Sequence, residues 1–236
     1  MIVSMFGPPN AGKGTYGLRL AELLGVPYLS CGNLIRERLS MDEEWFQGHY
    51  SREIQDSGEL CPTEFANAIV FEAMDSATGG CVLDGFPREP GQVEPFLQML
   101  AGQGLRVVYI VQPIDVLLDR SANRTICRSC GKSYAIKNSY IQPNSDGTCV
   151  DCGGDVVRRK DDDPEVMRRR ITVYEEITAP ILEALRSHSK LYVKFSPLGD
   201  DVDYHSEILC TRIVWALAGS MVEKMGEIEI TDGGKT

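Results

Sequence analysis

Short apolar segments alternate with longer helical patterns along most of the chain. The strand-like segments are residues 1–6, 80–83, 107–111 and 191–195. The helical patterns cover residues 16–24, 64–75, 92–100 and 164–185. Strands separated by helices favour an α/β fold in which helices wrap a parallel sheet. Ligands of such sheets bind at the carboxyl ends of the strands, so we expect the functional site there.

Other stretches are less regular. Residues 30–60 are polar with helix-like parts, and residues 124–160 are rich in Cys, Gly, Arg and Asp, so we interpret both as insertions. Residues 206–218 are helix-like, whereas residues 225–236 are polar and predicted to fray. In the first helical pattern, the predicted apolar face consists of Leu18, Leu20, Leu23 and Leu24.

The composition fits a cytoplasmic globular protein that needs no disulfide bonds. The chain has 236 residues, 43% of them hydrophobic, which is enough to bury a sizeable core. No apolar run approaches the ~18 residues of a transmembrane helix, and the first residues lack the features of a signal peptide. We therefore expect no membrane partner, and a compartment in which paired cysteines bind metal more often than they form disulfides.

Charge is distributed unevenly. The net charge of −10 argues against binding to a nucleic acid polymer or to an anionic membrane. Residues 120–170, however, carry a net charge of +4, while the rest of the chain carries −14. A zinc-ribbon protein that binds nucleic acid would need a basic surface, which the acidic remainder does not supply. The basic window therefore points to a local site.

A glycine-rich loop joins the first strand to the first helical pattern. Its sequence, GPPNAGKGT, has the G-x-x-x-x-G-K pattern of phosphate-binding loops in a strand–loop–helix context. Backbone N–H groups at a helix N-terminus can surround phosphate oxygens, and Lys13 adds a mobile positive charge. Gly14 separates Lys13 from the hydroxyl of Thr15, whereas the usual pattern has Ser or Thr directly after the lysine. The alternative interpretation, an ordinary turn, is disfavoured by the flanking strand and helix.

Four of the eight cysteines are spaced like the ligands of a structural metal ion. Eighteen residues separate two Cys-x-x-Cys pairs, which are Cys127, Cys130, Cys149 and Cys152. Four thiolates can close a tetrahedron around Zn²⁺ and leave no open position for catalysis. A disulfide pair or an iron centre are the alternatives. The scattered cysteines are predicted to be small buried hydrophobic residues, namely Cys31, Cys61, Cys81 and Cys210.

Seven segments occur together in the order and spacing of one enzyme family. They are GPPNAGKGT at 7–15, LSCGNLIR at 29–36, DGFPRE at 84–89, RSANR at 120–124, the cysteine quartet, RRKDDDPEVMRRRITVY at 158–174 and TAPI at 178–181. The combination closely resembles adenylate kinases of the long-lid, zinc-containing type, and it is collinear from residue 1 to about residue 200.

The resemblance implies a P-loop core with two insertions. The implied parts are a core of residues 1–29, 61–121 and 161–220, an arm for the nucleoside monophosphate at 30–60, a zinc-bearing lid at 122–160 and a tail at 221–236. The implied reaction is reversible transfer of the ATP γ-phosphoryl group to AMP, which gives two ADP and requires Mg²⁺. The implied partners are thus ATP, AMP and ADP, and we expect a monomer.

The resemblance also implies roles on the ATP side. Lys13 and the loop amides would hold the β- and γ-phosphates, and the guanidinium of Arg120 would cover the adenine ring. Asp84, at the carboxyl end of a strand, would organise Mg²⁺ through water. The implied ATP-binding residues are Gly7, Asn10, Ala11, Gly12, Lys13, Gly14, Thr15, Arg120 and Arg124. The implied catalytic residues are Lys13, Asp84, Arg88, Arg124, Arg159 and Arg170.

On the AMP side, Arg36 and Arg88 would hold the phosphate and Gln92 would hydrogen-bond to the base edge. The implied AMP-binding residues are Cys31, Arg36, Cys61, Gly85, Arg88, Gln92, Arg159 and Arg170. Asp161 and Asp162 are placed to orient the lid arginines. In the run 168–170, helical geometry allows only one of three consecutive arginines to face the site squarely.

Three positions depart from the commonest family pattern. Cys31 replaces a usual Thr, Asn33 a usual Asp, and Asn10 a commoner Gly. A thiol is a poorer hydrogen-bond partner than a hydroxyl, so selectivity for AMP could be loosened. Asn33 can cap a helix about as well as Asp, and Asn10 tolerates a left-handed backbone. Two alternatives follow, a kinase with another acceptor base and a catalytically silent homologue, but the presence of Lys13 and Arg88 argues against the second.

Overall fold

A computed structural model of the chain describes residues 1–100, 102–135, 142–197, 207–213 and 226–231. The strands in chain order are β1 (Ile2–Phe6), β2 (Tyr28–Ser30), β3 (Cys81–Asp84), β4 (Leu105–Ile110), β5 (Arg124–Cys127), β6 (Ser133–Ala135), β7 (Val156–Val157), β8 (Ser189–Ser196) and β9 (Gly226–Thr231). The α-helices are α1 (Lys13–Leu24), α2 (Cys31–Met41), α3 (Arg52–Asp56), α4 (Thr63–Asp75), α5 (Pro90–Leu100), α6 (Ile114–Asn123), α7 (Pro164–Val173) and α8 (Leu182–Ser187).

Six strands form the central sheet in the order β2-β3-β1-β4-β8-β9. Each neighbouring pair in this sheet is parallel. The predicted α/β fold, a parallel sheet wrapped by helices, is therefore confirmed. Its carboxyl edge carries the glycine-rich loop after β1 and Asp84 at the end of β3.

Strand β1 is an inner strand of the sheet and is buried along its whole length. All five of its residues are buried, as expected for a strand covered on both faces. Ile2 and Phe6 join one apolar cluster, whereas Val3 and Met5 join the cluster on the opposite face. Ser4 is the polar exception, and its Oγ donates to the carbonyl oxygen of Phe86 at 3.1 Å. The hydrogen bond satisfies the buried hydroxyl, so that β1 can lie in the core.

Helix α1 buries a different face from the one predicted. Its buried residues are Tyr16, Gly17, Leu20 and Ala21, which follow the i, i+4 spacing of one helix face. Leu20 is fully buried, but Leu18 and Leu23 are 46% and 59% exposed. The prediction was thus right for Leu20 and wrong for Leu18 and Leu23, because a leucine count does not identify which turn faces the sheet.

The region predicted as one helix over 164–185 is interrupted. After α7 the backbone widens into a π-helical turn at Tyr174–Thr178 and then tightens into a 3-10 turn at Ala179–Ile181, before α8 begins. Pro180 lies in the 3-10 turn, and a proline has no N–H to continue the hydrogen-bond ladder of an α-helix.

The chain termini and insertions add further elements. Residues 226–231, within the segment predicted to fray, form strand β9, which pairs in parallel with β8. Residues 207–213 are helical, and the rest of the predicted helix over 206–218 lies outside the described residues.

The region 124–160 contains a second, antiparallel sheet in the order β6-β5-β7. Among the described helices, none combines the length and apolar character that crossing a bilayer requires.

The two leucine environments in α1 give a testable contrast. We expect Leu20→Ala to lower the free energy of unfolding by about 2–5 kcal/mol, because it opens a cavity between α1 and the sheet. Leu23→Ala should change it by less than about 0.5 kcal/mol, because the side chain is mostly in solvent. Urea denaturation followed by circular dichroism measures both. Equal losses in the two variants would contradict the packing of α1.

Candidate functional site

A cleft of about 890 Å³ lies at the carboxyl edge of the central sheet. Its floor is the glycine-rich loop, and its sides come from the 30–60 arm and from the region 124–160. Lys132 and Tyr134 line it from the β5–β6–β7 side, and Arg36 and Tyr50 line it from the arm. The two insertions therefore meet over the loop.

The lysine of the glycine-rich loop hydrogen-bonds to the backbone of the same loop. The Nζ of Lys13 donates to the carbonyl oxygens of Gly7 at 2.9 Å and Pro8 at 2.7 Å. Burial lowers the pKa of Lys13 to about 8, while the negative charge of Asp84 opposes this and nearby arginines reinforce it. Burial and the nearby arginines disfavour the charged form of Lys13. An anion beside the ammonium group would offset both effects, because an opposite charge stabilises the charged form.

Within the described ranges, one carboxylate oxygen of Asp84 has a hydrogen-bond partner and the other has none. Its Oδ2 accepts a hydrogen bond from the hydroxyl of Tyr28 at 2.6 Å. Its Oδ1 is buried and has no hydrogen-bond partner among the described residues. A buried carboxylate oxygen of this kind fits Mg²⁺, which prefers hard oxygen ligands or waters held by them. A Cβ on Gly14 would lie 3.3 Å from the Tyr28 hydroxyl, so the glycine keeps this arrangement clear.

Arg88 is fixed by its own neighbourhood in the DGFPRE segment. Its Nε donates to the carbonyl oxygen of Gly85 at 2.7 Å, and its backbone N–H donates to Oε1 of Gln92 at 2.7 Å. Gly85 has a φ of 73°, and a Cβ there would lie 2.4 Å from Nη2 of Arg88, so another residue would strain the backbone and displace the Arg88 guanidinium. Because a backbone N–H can only donate, it also fixes which end of the Gln92 amide is the oxygen.

Two aspartates hold three arginines in place on the opposite wall. Arg124 forms a two-pronged pair with Asp162 through Nε at 2.8 Å and Nη2 at 2.6 Å. Arg159 pairs with both oxygens of Asp161, and Nη1 of Arg170 donates to Oδ2 of Asp161 at 2.8 Å. Burial raises the pKa of Asp161, but the charges of Arg159 and Arg170 outweigh it and hold that pKa below its ordinary value.

One of the three consecutive arginines of α7 faces the cleft. Arg168 and Arg169 are exposed, whereas Arg170 is largely buried and lines the cleft. This confirms the prediction that only one of the three faces the site. Arg120 also lines the cleft, and its Nη1 donates to the carbonyl oxygen of Ala11 at 3.4 Å.

The arm supplies a mixed apolar and polar wall. Arg36 hydrogen-bonds through Nη2 to Oδ1 of Asn33, and burial, followed by the charge of Arg159, lowers the pKa of Arg36 to about 9. Cys31 and Cys61 are buried and line the cleft; burial raises the pKa of both thiols, that of Cys61 to about 12. Both thiols are therefore neutral at physiological pH. All four scattered cysteines are buried, as predicted.

The cysteine quartet forms a candidate metal centre. The four Sγ atoms lie within 4.8 Å of one another, with Cys127 to Cys152 at 3.4 Å and Cys130 to Cys149 at 3.5 Å. A ZnS₄ tetrahedron places its sulfurs roughly 3.8 Å apart, so the spacing fits a tetrahedral ion. All eight cysteines, which fall within the described ranges, are free thiols.

A second layer of hydrogen bonds supports this centre. The hydroxyl of Tyr134 donates to Sγ of Cys149 at 3.0 Å, and this bond lowers the pKa of Cys149 to about 6. The backbone N–H of Ser129 donates to Sγ of Cys127 at 3.3 Å. Bonds of this kind favour thiolate, which is the form that ligates a soft cation.

Sequence reasoning missed two tyrosines that organise the cleft. Tyr28 holds Asp84 across 56 positions of sequence. Tyr50 lines the cleft, and its hydroxyl donates to the carbonyl oxygen of Glu59 at 3.0 Å, which fixes the segment that leads into Cys61. The signal for Tyr28 was weak, because β2 has only three residues; Tyr50 lies in a polar stretch without a recognisable motif.

Comparisons with known proteins find one family. A family model described as adenylate kinase matches residues 5–190. The adenylate kinase of Thermosipho melanesiensis is 38% identical over 197 residues, which are 81% of this chain and 90% of the relative. The adenylate kinases of Haloarcula marismortui and Streptomyces coelicolor are each 36% identical over 192 residues, which are 79% of this chain and 85% and 87% of those relatives. Strand β9 lies beyond the residues that the family model matches.

The lysine of the loop provides a direct electrostatic test. We expect one lysine Cε signal in a ¹³C NMR titration to move with a pKa near 8, well below the ordinary 10.5, and to shift upward when ATP is added. The signal should be missing in Lys13→Met, which assigns it. If every lysine titrates near 10.5 in the free protein, burial does not control this group.

Proposed function

The chain belongs to the adenylate kinase family, and from that premise we propose that it catalyses reversible transfer of the ATP γ-phosphoryl group to AMP, giving two ADP. The observation that carries the proposal is the convergence of cations on the phosphate loop. Within one cleft they are Lys13, Arg36, Arg88, Arg124, Arg159 and Arg170. Phosphoryl transfer needs in-line positioning and charge neutralisation more than it needs a covalent nucleophile, and a cluster of cations suits the second of these needs.

We assign the division of labour by resemblance to the family. Lys13 and the loop amides would bind the ATP phosphates, while Arg88, which is fixed by Gly85 and Gln92, would bind the AMP phosphate. Arg36 approaches AMP from the arm. Arg124, Arg159 and Arg170 close on the transferred group, and because a guanidinium stays charged and offers paired donors, it suits phosphate oxygens.

The lid arginines are oriented before any substrate arrives. Asp162 is fully buried and binds Arg124 through two hydrogen bonds, and Asp161 binds Arg159 and Arg170 together. Each aspartate leaves part of its guanidinium partners available to phosphate. Preorganised cations need little rearrangement when negative charge gathers in the transition state. Residues of the proposed lid such as Tyr134 line the cleft, and closure of the lid over the substrates would exclude water, so that AMP accepts the phosphoryl group.

Asp84 is the residue that would hold Mg²⁺. The ion would neutralise charge on the β- and γ-phosphates when it is bound with ATP. Asp84 contributes Oδ1, which has no protein partner within the described residues, while Tyr28 keeps the other oxygen fixed. The tyrosine thus orients the carboxylate toward the loop.

We assign the metal centre of the lid to Zn²⁺. Four thiol ligands with this spacing suit a closed tetrahedral site, and such a site contributes stability but no open position. Metal binding by free thiols also fits a reducing compartment, which supports a cytoplasmic location. We expect the chain to work as a monomer.

The decisive experiment measures ADP formation from ATP with AMP, UMP, CMP or GMP as acceptor. We expect AMP to be the best acceptor, because the side-chain amide of Gln92 lines the pocket. A higher rate with a pyrimidine monophosphate would show that Cys31 has changed base choice. No ADP with any acceptor, from folded and metal-loaded protein, would rule out the proposed activity.

A matched pair of variants tests the role of Arg88. Arg88→Ala should reduce turnover by about 100-fold or more, because it removes a charged donor from the transferred or accepting phosphate. Arg168→Ala, an exposed arginine outside the cleft, should retain wild-type turnover. Circular dichroism checks that both fold. If Arg88→Ala is as active as wild type, Arg88 has no part in the reaction.

Elemental analysis tests the metal. We expect one Zn²⁺ per chain, and we expect removal by a chelator to lower the temperature of the first unfolding transition, because the lid loses the link between its two cysteine pairs. Added Zn²⁺ should restore the transition. Iron in freshly purified protein, or no metal together with four titratable lid thiols, would contradict the assignment.

A further inference from the structure

Asn10 has an unusual environment within the phosphate loop. Its backbone adopts the left-handed conformation, with a φ of 61°. The residue lines the cleft, and both polar atoms of its side chain, Oδ1 and Nδ2, are buried. Neither atom has a hydrogen-bond partner among the described residues. The loop therefore buries a complete amide group to which no other described residue hydrogen-bonds.

Such an amide is unfavourable in the free protein. A buried polar group without a partner destabilises a fold by about 1–3 kcal/mol. The backbone conformation does not require the amide, since glycine adopts a positive φ with less strain and has no side chain to satisfy. Within the described part of the chain, the side chain of Asn10 therefore makes no hydrogen bond that explains its presence.

The surroundings indicate what would satisfy the amide. Helix α1 begins directly after the loop, and its first N–H groups have no side-chain cap, which suits an anion. Lys13 is the cation of the loop, and neighbouring positive charges already contribute to lowering its pKa. A neutral N–H donor can bind another phosphate oxygen here without adding to that repulsion.

We propose that the side-chain amide of Asn10 donates a hydrogen bond through Nδ2 to the phosphate chain of bound ATP. This contact is additional to those from the loop backbone and Lys13, and it rests on the proposed function of the cleft. Asn10 is thereby a binding residue through its side chain, and its stabilising interaction forms only when a polyphosphate occupies the loop.

Two substitutions separate this role from a structural one. Asn10→Gly keeps a residue that accepts a φ of 61° and removes the amide; we expect ATP to bind about 10–100-fold more weakly, as for loss of one hydrogen bond to a charged group. Asn10→Asp keeps the shape but replaces the donor with a negative charge, and it should weaken ATP binding by more than about 100-fold. Isothermal titration calorimetry with ATP, and separately with AMP, measures both.

Stability provides the second measurement. Because the amide is unsatisfied in the free protein, Asn10→Gly should have a melting temperature equal to or higher than that of wild type, while its stabilisation by ATP should be smaller. AMP affinity should stay within about twofold of wild type, since AMP does not bind the phosphate loop.

Asn67 offers a matched control. It lies in α4, its Oδ1 is also buried without a partner among the described residues, and it does not line the cleft. Asn67→Ala should therefore leave ATP affinity unchanged and should not lower the melting temperature, because alanine also favours the helix.

The outcomes separate the two levels of the proposal. Wild-type ATP affinity in Asn10→Gly overturns the role of Asn10, and so does a lower melting temperature together with equal losses of ATP and AMP affinity. Selective loss of ATP affinity in the Asn10 variants supports it. Turnover of wild-type protein is measured in parallel: if wild type binds ATP but makes no ADP from ATP and AMP, the proposed reaction fails while the binding role of Asn10 stands.

Discussion

Cations crowd one cleft, and the protein has to hold them there against their mutual repulsion. Arg36 lies close enough to Arg159 and Arg170 that their charges contribute to lowering its pKa, and three arginines do the same to Lys13. Like charges at short range in a partly buried site repel strongly, because the protein screens them less than water does. The rest of the site can be understood as the means of keeping these groups in position.

Three carboxylates offset part of this repulsion, and each is anchored in a different way. Asp162 is fully buried against Arg124, Asp161 is shared by two arginines, and Asp84 is held by a tyrosine. Removing one partner from such pairs would leave an uncompensated charge, which is far more destabilising than the pair is stabilising. The six cations that converge on the phosphate loop outnumber these three carboxylates, and the phosphate ligands of the proposed reaction would supply the remaining negative charge.

Much of this arrangement could be predicted from local sequence, since periodicity and motifs are local signals. The glycine-rich loop, the cysteine quartet and the four predicted apolar strand segments are each visible within about 30 residues. Asp161 and Asp162 were expected to orient arginines, but which carboxylate pairs with which arginine depends on packing between α6, α7 and the segment that joins them. The short strand β2 and the hydrogen bond between Tyr28 and Asp84 had no comparable signal in the local sequence, because both depend on tertiary contacts. The same holds for the exposed Leu23 of α1, where the sheet rather than the leucine pattern selected the buried face.

The place of the lid in the chain has a consequence for chain entropy. Strands β4 and β8 are neighbours in the sheet, although about 78 residues separate them and the lid lies within that connection. An ion held by the four cysteines would tie residues 127 to 152 together and shorten the connection to roughly 53 residues. Closure entropy grows only with the logarithm of loop length, so this shortening would favour the pairing of β4 with β8 by only about 0.3 kcal/mol. Such an ion would thus constrain the region 124–160 and hardly affect assembly of the sheet, so formation of the core would not depend on metal binding.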